Sequence, residues 1–318
     1  MTVISDNMSK GIYWYQKIIR SAELRYAMLN MVAFLPDRIM LALQYWIKLG
    51  RRCGFDNPRR WTEKLQLYKM YYRNPILSQC VDKYRVRSYI KVKGLENNLV
   101  KLYGAFKSSK EIDIEKLPKS FVIKTNNGGG GLNVDLIMDK DAVDLKSIFA
   151  KYDKWISDFK PIRVPPGREW AYTGIKEAYI LIEELLVNKN NPTAGIEDFK
   201  ILCFQGEPKY IIVDKDRYSN HKRNFYDTSW KRINVTTDHE QFETPYPRPK
   251  NFEKMLEIAR KLSLDFPFVR VDLYNVDGQI YFGELTFYPW TGYVQFLPDE
   301  FDFTLGKLMD CSSFMPNK

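Results

Sequence analysis

Four residues near the C-terminal end have the types and spacing for metal and phosphate chemistry. Arg270 and Asp272 lie in one apolar run, Glu284 and Thr286 lie in the next, and a turn sequence at 275–278 separates the runs. Two carboxylates repel each other at short range unless a cation lies between them, and Mg²⁺ bound to phosphate suits such a pair. The spacing therefore predicts a metal site. A surface hairpin in which Arg270 simply pairs with Glu284 is an equal alternative.

The length of the hairpin loop decides which side chains share a face. A two-residue loop at Asp277-Gly278 would place the two carboxylates on opposite faces. A three-residue loop with its glycine left-handed, the G1-bulge type, pairs Asn275 with Gln279 and projects all four functional side chains to one side. Asp272 would then lie opposite Phe282. The metal prediction therefore requires the three-residue loop.

A second candidate segment lies far upstream and is rich in glycine. The apolar run Phe121–Lys124 leads through Asn127 to the four glycines Gly128–Gly131, and a second β-rich run, Val134–Met138, follows. Glycine backbone can approach an anion closely, and its amide groups can cradle phosphate oxygens. The lysine that ends the first run suits an α- or β-phosphate. A plain hairpin tip is the alternative, since the segment lacks the G-x-x-x-x-G-K-[ST] pattern of a P-loop.

Two polar segments follow. Glu183 and Glu184 come late in the apolar strand Tyr179–Leu186, where backbone groups could face adenine and a carboxylate could face sugar hydroxyls. A buried strand that ends at solvent is the alternative. The basic loop 214–224 could hold transferred phosphate or an acidic substrate, or it could simply be solvated. Its candidate catalytic residues are His221 as a general base, the only histidine near these groups, with Lys222 and Arg223.

The elements that must position these residues form a helical first third and a mixed remainder. Residues 1–50 predict helices broken at Pro36, and helical periodicity resumes after Asn57-Pro58. Beyond residue 118, strands and helices are mixed, and because they follow a helical first third, the order predicts an α+β fold. The further predicted helices are Ser78–Val92, Asp141–Phe159 and Phe252–Leu264, and the further strands are Phe199–Phe204 and Tyr210–Val213.

The amino-acid composition limits which metal, compartment and partner the protein is expected to have. Four widely spaced cysteines without a C-x-x-C pair argue against a disulfide scaffold or zinc site, and favour a reducing, cytoplasmic compartment. With only two histidines among 318 residues, a divalent metal would need oxygen ligands, which favours Mg²⁺. The net charge of +10 favours an anionic partner, such as a nucleotide, an acidic polysaccharide, an acidic lipid or nucleic acid.

The N-terminal 60 residues carry ten Lys or Arg and four acids, a net charge of +6. They show no secretory signal, and Asp37 and Arg38 interrupt the apolar stretch 26–47, which argues against a spanning helix. Amphipathic helices rich in Tyr, Trp and Arg could lie on an anionic membrane surface. A helical cap that packs its apolar face on the rest of the protein is the slightly favoured alternative.

Taken together and in order, these segments resemble the ATP-grasp superfamily, and more closely its TupA-like branch. The resemblance runs from Asn57 to Leu308 and rests on many short markers. These are Asn57-Pro58, Glu63-Lys64-Leu65, Asp82-Lys83-Tyr84, Phe121–Gly131, Gly167–Trp170, Asp198-Phe199-Lys200, Asn220–Asp227, Asp265–Tyr274 and Gly283–Phe287. The resemblance implies an ATP-grasp fold with a nucleotide between two antiparallel-sheet lobes. The implied segments are a basic helical region 1–56, a helical part 57–118, a small lobe 119–187 and a large lobe 188–318.

The resemblance also implies roles for single residues. Asp272 and Glu284 would be Mg²⁺ ligands, and Arg270 would stabilise the transferred phosphoryl group. Most ATP-grasp enzymes have asparagine two residues after the second acid, and Thr286, which stands there in this chain, would supply one oxygen. The implied ATP-binding residues are Lys83, Lys124, Asn127, Gly128, Gly129, Gly130, Gly131, Glu183, Glu184, Leu186, Asp198 and Lys200.

The implied activity is ligation of a carboxylate to an amine through an acylphosphate, with ATP and Mg²⁺. TupA-like members resemble enzymes of bacterial surface-polymer assembly, so the expected partners are an acidic or lipid-linked saccharide, an amino acid and, at the cytoplasmic face, the inner membrane. Nucleic acid is not an expected partner. The alternatives are a glycosyltransferase of the same pathway class and a non-enzymatic basic protein that binds membrane or nucleic acid.

Overall fold

The computed structural model describes residues 21–129, 133–188, 196–215 and 221–316. Helices dominate the first part of the described chain, and the strands lie beyond residue 101. The α-helices are α1 (Ala22–Met31), α2 (Asp37–Leu49), α3 (Trp61–Tyr71), α4 (Ile76–Cys80), α5 (Val86–Val92), α6 (Leu145–Ser157), α7 (Phe252–Ser263) and α8 (Glu300–Leu308). The strands are β1 (Leu102–Phe106), β2 (Phe121–Thr125), β3 (Val134–Ile137), β4 (Ile180–Glu183), β5 (Asp198–Phe204), β6 (Glu207–Lys215), β7 (Lys222–Asp227), β8 (Arg232–Ile233), β9 (Phe268–Val276) and β10 (Gln279–Thr286).

The small sheet is antiparallel and has the strand order β1-β4-β2-β3. Helix α6 covers one face, and Phe121, Ile123, Tyr152 and Ile180 lie in a hydrophobic core of their own. Because side chains alternate along a strand, burial of Phe121 and Ile123 leaves Lys124 on the opposite face. The hairpin predicted around the glycine-rich segment is confirmed, with Lys124 opposite Val134 across β2 and β3.

The large sheet is also antiparallel and has the order β10-β9-β5-β6-β7-β8. Helix α7 contacts β5, β6 and β9 and buries its apolar side, including Met255, Ala259 and Leu262. Val269, Val271 and Leu273 of β9 are fully buried in the main core. Alternation along β9 then places Arg270 and Asp272 together on the other face. The second, separate core confirms a two-lobed α+β arrangement.

The loop of the β9–β10 hairpin differs from the prediction. The loop has two residues, Asp277 and Gly278, and both have positive φ, 51° and 85°, as a type I′ turn requires. Gln279 therefore pairs with Val276 instead of Asn275, and the predicted three-residue loop is wrong.

A bulge further along β10 restores the predicted placement on one face. The register shifts between Phe282 and Glu284, so Glu284 lies opposite Asp272 and Thr286 lies opposite Arg270. The extra residue is Gly283, where an added Cβ would come within 3.0 Å of the Asp272 carbonyl oxygen. Strands can approach this closely at a bulge when the residue there has no side chain.

Three other predictions needed correction. The predicted helix Ser78–Val92 is split into α4 and α5, because the Asp82 carboxylate accepts hydrogen bonds from the amides of Tyr84 and Arg85 and turns the chain. The basic loop is strand β7 from Lys222 onward, while its residues 216–220 lie outside the described ranges. Strand β1 lies within the segment 57–118, which was predicted to be helical.

The N-terminal helices α1 and α2 are joined by a turn that ends at Pro36, as predicted. Gln44 of α2 packs inward and donates to the carbonyl of Pro166 at 2.8 Å. No helix in the described part of the chain is both long and apolar enough to span a membrane.

Candidate functional site

The β9–β10 hairpin gathers three side chains around the guanidinium group of Arg270. Arg270 donates from Nε and Nη2 to the two oxygens of Asp272 at 2.7 and 2.6 Å. The same Nη2 lies 2.8 Å from Glu284 Oε1 and 3.1 Å from Thr286 Oγ1. The Thr286 hydroxyl also donates to Glu284 Oε1 at 2.8 Å. The arrangement joins two carboxylates, a hydroxyl and a cation on one face. It contains the Arg270–Glu284 pair of the alternative prediction as well.

The two carboxylates differ in their electrostatic surroundings. Asp272 is buried, and this burial raises the pKa of its carboxyl to about 7 against the opposing charges of Arg270 and Lys200. Loss of hydration also acts to raise the pKa of Glu284. There, however, the charge of Arg270 and the Thr286 hydroxyl outweigh it, and they lower the pKa of Glu284 to about 2. A further cation between the carboxylates would favour the ionised form of both.

A row of alternating charges extends this cluster across the large sheet. Lys200 on β5 forms an ion pair with Asp198, and its Nζ lies 3.6 Å from both Asp214 and Asp272. Asp214 in turn accepts from Arg223 Nε at 2.6 Å and from its Nη2 at 3.2 Å. These five side chains are all buried. Because each buried charge has an oppositely charged neighbour, the row can persist in the protein interior.

Arg223 holds the far end of this row. Besides Asp214, it donates to Asp238 at 2.5 Å, and its guanidinium lies 5.2 Å from the centroid of the Trp290 ring. Burial opposes ionisation of Asp214, but Arg223 and Lys200 outweigh it and hold the pKa of that carboxyl well below its usual range. Sequence reasoning missed Asp214, although it ends the apolar run of β6 just as Asp272 interrupts that of β9.

The histidine in this region is not alone, contrary to the prediction. The rings of His221 and His239 lie 3.7 Å apart between centroids, and His221 Nε2 lies 3.2 Å from Asp214 Oδ1. Burial lowers the pKa of His239. Strand alternation places Lys222 on the face opposite Arg223, so the structure does not bring Lys222 to the row of charges.

Two lysines lie on the other side of the site, Lys124 on β2 of the small sheet and Lys83 in the turn before α5. Lys124 Nζ lies 2.5 Å from Glu183 Oε2, and Arg87 lies 3.5 Å from the other oxygen of this buried carboxylate. Lys83 donates to the carbonyl oxygen of Gly128 at the start of the glycine-rich segment.

The charge environment of Lys83 joins the two lobes. Burial lowers the pKa of Lys83, while Glu284 of the large sheet and Glu183 of the small sheet both act to raise it. Lys83 therefore lies within electrostatic reach of acids on both sheets. Sequence reasoning missed Arg87 and Asp82, whose contacts with Glu183 and Asn126 are distant in sequence.

A fully buried asparagine anchors the glycine-rich segment. Asn126 donates to Asp82 and to the Glu177 carbonyl, each at 3.0 Å, and accepts from the Tyr179 amide at 2.8 Å. Asn127 and Gly128 follow it half-buried, and Gly129 is exposed with open space where a Cβ would stand. The predicted residues Gly130 and Gly131 lie outside the described ranges.

Two predicted residues lie just past strand β4. Glu184 and Leu186 are half-buried, and the Glu184 amide donates to the Lys101 carbonyl at 2.9 Å. Burial raises the pKa of the Tyr103 and Tyr281 hydroxyls, one on each sheet, and the charge of Glu184 contributes to both shifts. The segment after β4 therefore lies at the junction of the lobes.

The donor set fits Mg²⁺ with a nucleotide. No group of three or more His, Cys, Asp or Glu within the described ranges is placed to hold a metal ion by itself. Mg²⁺ commonly binds one or two carboxylates and takes its other ligands from phosphate and water. Asp272 and Glu284, with the Thr286 hydroxyl beside them, provide that set of oxygens. Lys124 of the small sheet and Lys83 of the turn before α5 are the complementary groups for phosphate.

Comparison with protein families identifies the class and then the family. A family model described as TupA-like ATPgrasp matches residues 63–310, more than three quarters of the chain. The protein is thus an ATP-grasp protein with the ATP-grasp fold, the fold of a class of carbon–nitrogen ligases that use ATP and Mg²⁺. Within that class, the chain belongs to the TupA-like ATP-grasp family.

Solved structures with similarity to this chain are remote. A D-alanine–D-alanine ligase from Bacillus anthracis is 19% identical, with a TM-score of 0.41 over 66% of this chain and 58% of that one. An L-amino acid ligase from Bacillus licheniformis is 14% identical, with a TM-score of 0.41 over 73% and 48%. An ADP complex of N5-carboxyaminoimidazole synthetase from Staphylococcus aureus is 18% identical, with a TM-score of 0.41 over 65% and 44%. This chain thus spans little more than half of the length of the D-alanine–D-alanine ligase. No curated protein sequence matches significantly.

Proposed function

We propose that the protein is an ATP- and Mg²⁺-dependent ligase that joins an amino acid to a uronic-acid-containing saccharide of a bacterial surface polymer. The observation that carries the ligase proposal is the single face shared by Asp272, Glu284, Thr286 and Arg270. Metal and phosphoryl transfer need oxygen ligands beside a fixed cation. The family membership agrees with this chemistry.

Each lobe would have a separate task. Asp272 and Glu284 would hold Mg²⁺, which supplies charge neutralisation at the phosphate oxygens when bound. Arg270 would stabilise the charge on the transferred phosphoryl group, while Lys124 of the small sheet and Lys83 of the turn before α5 would hold the phosphates. The nucleotide would lie between the sheets, with its adenine toward the segment after β4.

The reaction would proceed in two balanced steps. A substrate carboxylate oxygen attacks the γ-phosphorus of ATP, and ADP leaves. The amine then attacks the acyl carbon, phosphate leaves, and the amine proton passes to a base. His221, 3.2 Å from Asp214, is the proposed base because its contact with a carboxylate orients the ring. Arg223 would position the substrate rather than act on it.

A basic cavity supports an acidic saccharide as a substrate. An open cavity of about 700 Å³ is lined by Lys160, Arg163 and Lys176, together with Thr173. None of these three cations forms an ion pair within the parts of the chain that the structure describes. Unpaired cations around a cavity favour a polyanionic ligand.

We propose that the cavity leads to the active site past Tyr172. Tyr172 precedes the cavity residue Thr173. Burial and the charge of Glu169 raise the pKa of the Tyr172 hydroxyl, while Glu284 adds to this effect and Arg270 opposes it. An acidic chain in the cavity would therefore end near the carboxylate face. Such a reaction, which consumes cytoplasmic ATP, would take place in the cytoplasm.

The test is an ADP-release assay with Mg-ATP, a panel of amino acids and uronic-acid oligosaccharides, with products analysed by mass spectrometry. We expect ADP in a one-to-one ratio with a saccharide that has gained one amino acid and lost one water. Amide formation on a neutral sugar or between amino acids would agree with the proposed ligase activity but contradict an acidic saccharide as the substrate. Consumption of a sugar nucleotide without ADP release would overturn the ligase itself.

A further inference from the structure

The N-terminal helices expose an apolar surface that the ligase chemistry does not use. On α2, Ile39, Leu43 and Trp46 are exposed with the i, i+4, i+7 spacing of one helix face. The opposite face of α2 is already buried through Leu41 and Tyr45. A helix with apolar side chains on both faces packs one face on the protein and leaves the other for a partner.

The same pattern continues on α1 and on the turn between the helices. Leu24, Met28 and Met31 are exposed with the same spacing. Phe34, in the turn, is 82% exposed, which makes it one of the most exposed apolar residues of the described chain. We call these seven residues the apolar N-terminal surface: Leu24, Met28, Met31, Phe34, Ile39, Leu43 and Trp46.

Direct hydrogen bonds hold the turn in place. Arg168 Nη2 donates to the carbonyls of Ala33 and Leu35, at 2.8 and 2.7 Å, on either side of Phe34. Its Nε also pairs with Asp37 at 2.8 Å. The Arg168 side chain is nearly fully buried. The exposed ring of Phe34 is therefore presented by a fixed backbone and does not belong to a loose end.

The charges around this surface favour an anionic partner. Residues 21–60 carry seven Lys or Arg and three acids, a net charge of +4. Two of their acids, Asp37 and Asp56, are paired with Arg168 and Arg38. Arg51 and Arg60 pair with Asp299 and Asp302, while Arg52, just after α2, is exposed. Apolar helix faces combined with excess Lys and Arg are the features of helices that lie in the interface of an anionic bilayer.

We infer that the apolar N-terminal surface docks on the surface of a bilayer that contains anionic phospholipid, with Phe34 and Trp46 in the interfacial layer. Aromatic rings are favoured at that depth because one side meets acyl chains and the other meets head groups. The contact with Arg168 links the docked turn to the loop that leads to Tyr172 and the basic cavity. Docking would thus orient the active site toward the membrane.

The test is co-sedimentation of the full chain with vesicles of phosphatidylethanolamine and phosphatidylglycerol, beside vesicles of phosphatidylcholine. The wild-type protein should prefer the anionic vesicles, and added salt should weaken binding. The double variant Phe34→Ser/Trp46→Ser should lower the partition coefficient at least about tenfold, because two large apolar groups no longer enter the interface. No wild-type binding, or equal binding to phosphatidylcholine, would overturn the inference.

The control variant is Val92→Ser/Leu264→Ser. Val92 and Leu264 are 84% and 62% exposed, close to the 82% and 58% of Phe34 and Trp46, but they lie on α5 and after α7. This control should bind vesicles like the wild type; an equal loss would overturn the assignment of the surface. Full binding by Phe34→Ser/Trp46→Ser would overturn it too. Sedimentation equilibrium without lipid tests a second copy of the chain as the partner. If the wild type were a dimer and Phe34→Ser/Trp46→Ser a monomer, the surface would bind a second copy instead of a membrane. None of these readouts depends on ligase activity.

Discussion

The two sheets contribute different kinds of group to the candidate site. On the large sheet, charged side chains satisfy one another from Glu284 through Arg270 and Lys200 to Arg223. On the other side of the site the contacts are fewer: Lys124 of β2 pairs with Glu183, and Lys83, in the turn before α5, donates to the Gly128 carbonyl. Groups locked by several partners are suited to fixed geometry, whereas groups with few partners can adapt to a ligand. The comparison predicts that large-sheet changes mainly reduce turnover and small-sheet changes mainly weaken ATP binding.

The largest effect is expected for Asp272→Asn on the large sheet. The substitution keeps the shape of the side chain but removes a proposed metal ligand and the charge facing Arg270. We expect ADP formation to fall on the order of 10³-fold or more, with a smaller change in the KM for ATP. Asp158→Asn, an exposed acid on the surface after α6, is the control and should leave turnover unchanged. Near-normal turnover by folded Asp272→Asn would refute the metal assignment.

Lys124→Met should act differently, because it removes a small-sheet cation. Loss of a charge-assisted contact with phosphate should raise the KM for ATP roughly 10- to 100-fold, with a smaller effect on kcat. Lys124→Arg retains the charge and should recover part of the affinity. The pattern to measure is the split between KM and kcat under initial-rate conditions. If kcat fell as far as in Asp272→Asn with KM unchanged, the division of tasks between the sheets would be wrong.

A pair of glycine substitutions sharpens the same comparison. Gly283→Ala forces a methyl group against the Asp272 carbonyl, so it should lower the free energy of unfolding by about 1–3 kcal/mol and disturb the carboxylate face. Gly129→Ala meets open space in the small lobe and should leave stability within about 0.5 kcal/mol. Denaturant titration of both variants measures the difference. Equal stability of the two would contradict the strict need for glycine at the bulge.

The smallest effect is expected at the basic cavity. Reversing Lys160, Arg163 and Lys176 to Glu should raise the KM for an acidic saccharide about tenfold, and less at high salt, because exposed charges contribute modestly and are screened. The KM for ATP should change little. Reversing Lys110, Lys116 and Lys119, which do not line the cavity, makes the same change in net charge. Equal effects of the two triple variants would assign the effect to overall charge instead of the cavity.

The sequence predicted the hairpins and the shared face, but not the means by which the face is formed. Alternation along β2 and β9 is a local property, so the positions of Lys124 and Arg270 could be predicted. The bulge at Gly283 could not, because it depends on how closely β10 approaches the Asp272 backbone. Similarly, the basic residues of β7 were predicted to form a loop because charged side chains are usually exposed. Arg223 can be buried in a strand because its partner Asp214 lies on the neighbouring strand β6, which the local sequence does not show.

The central proposal for this site is that the large-sheet carboxylates hold the metal while Lys124 of the small sheet and Lys83 of the turn before α5 hold the phosphates. A crystal structure with Mn²⁺ and a non-hydrolysable ATP analogue tests it most directly, because Mn²⁺ scatters anomalously and prefers the same oxygen ligands as Mg²⁺. The account predicts an anomalous peak roughly 2.0–2.3 Å from carboxylate oxygens of Asp272 and Glu284. It also predicts analogue phosphates between that peak and Lys83 and Lys124. A metal bound elsewhere, or a nucleotide outside the junction of the two sheets, would contradict it.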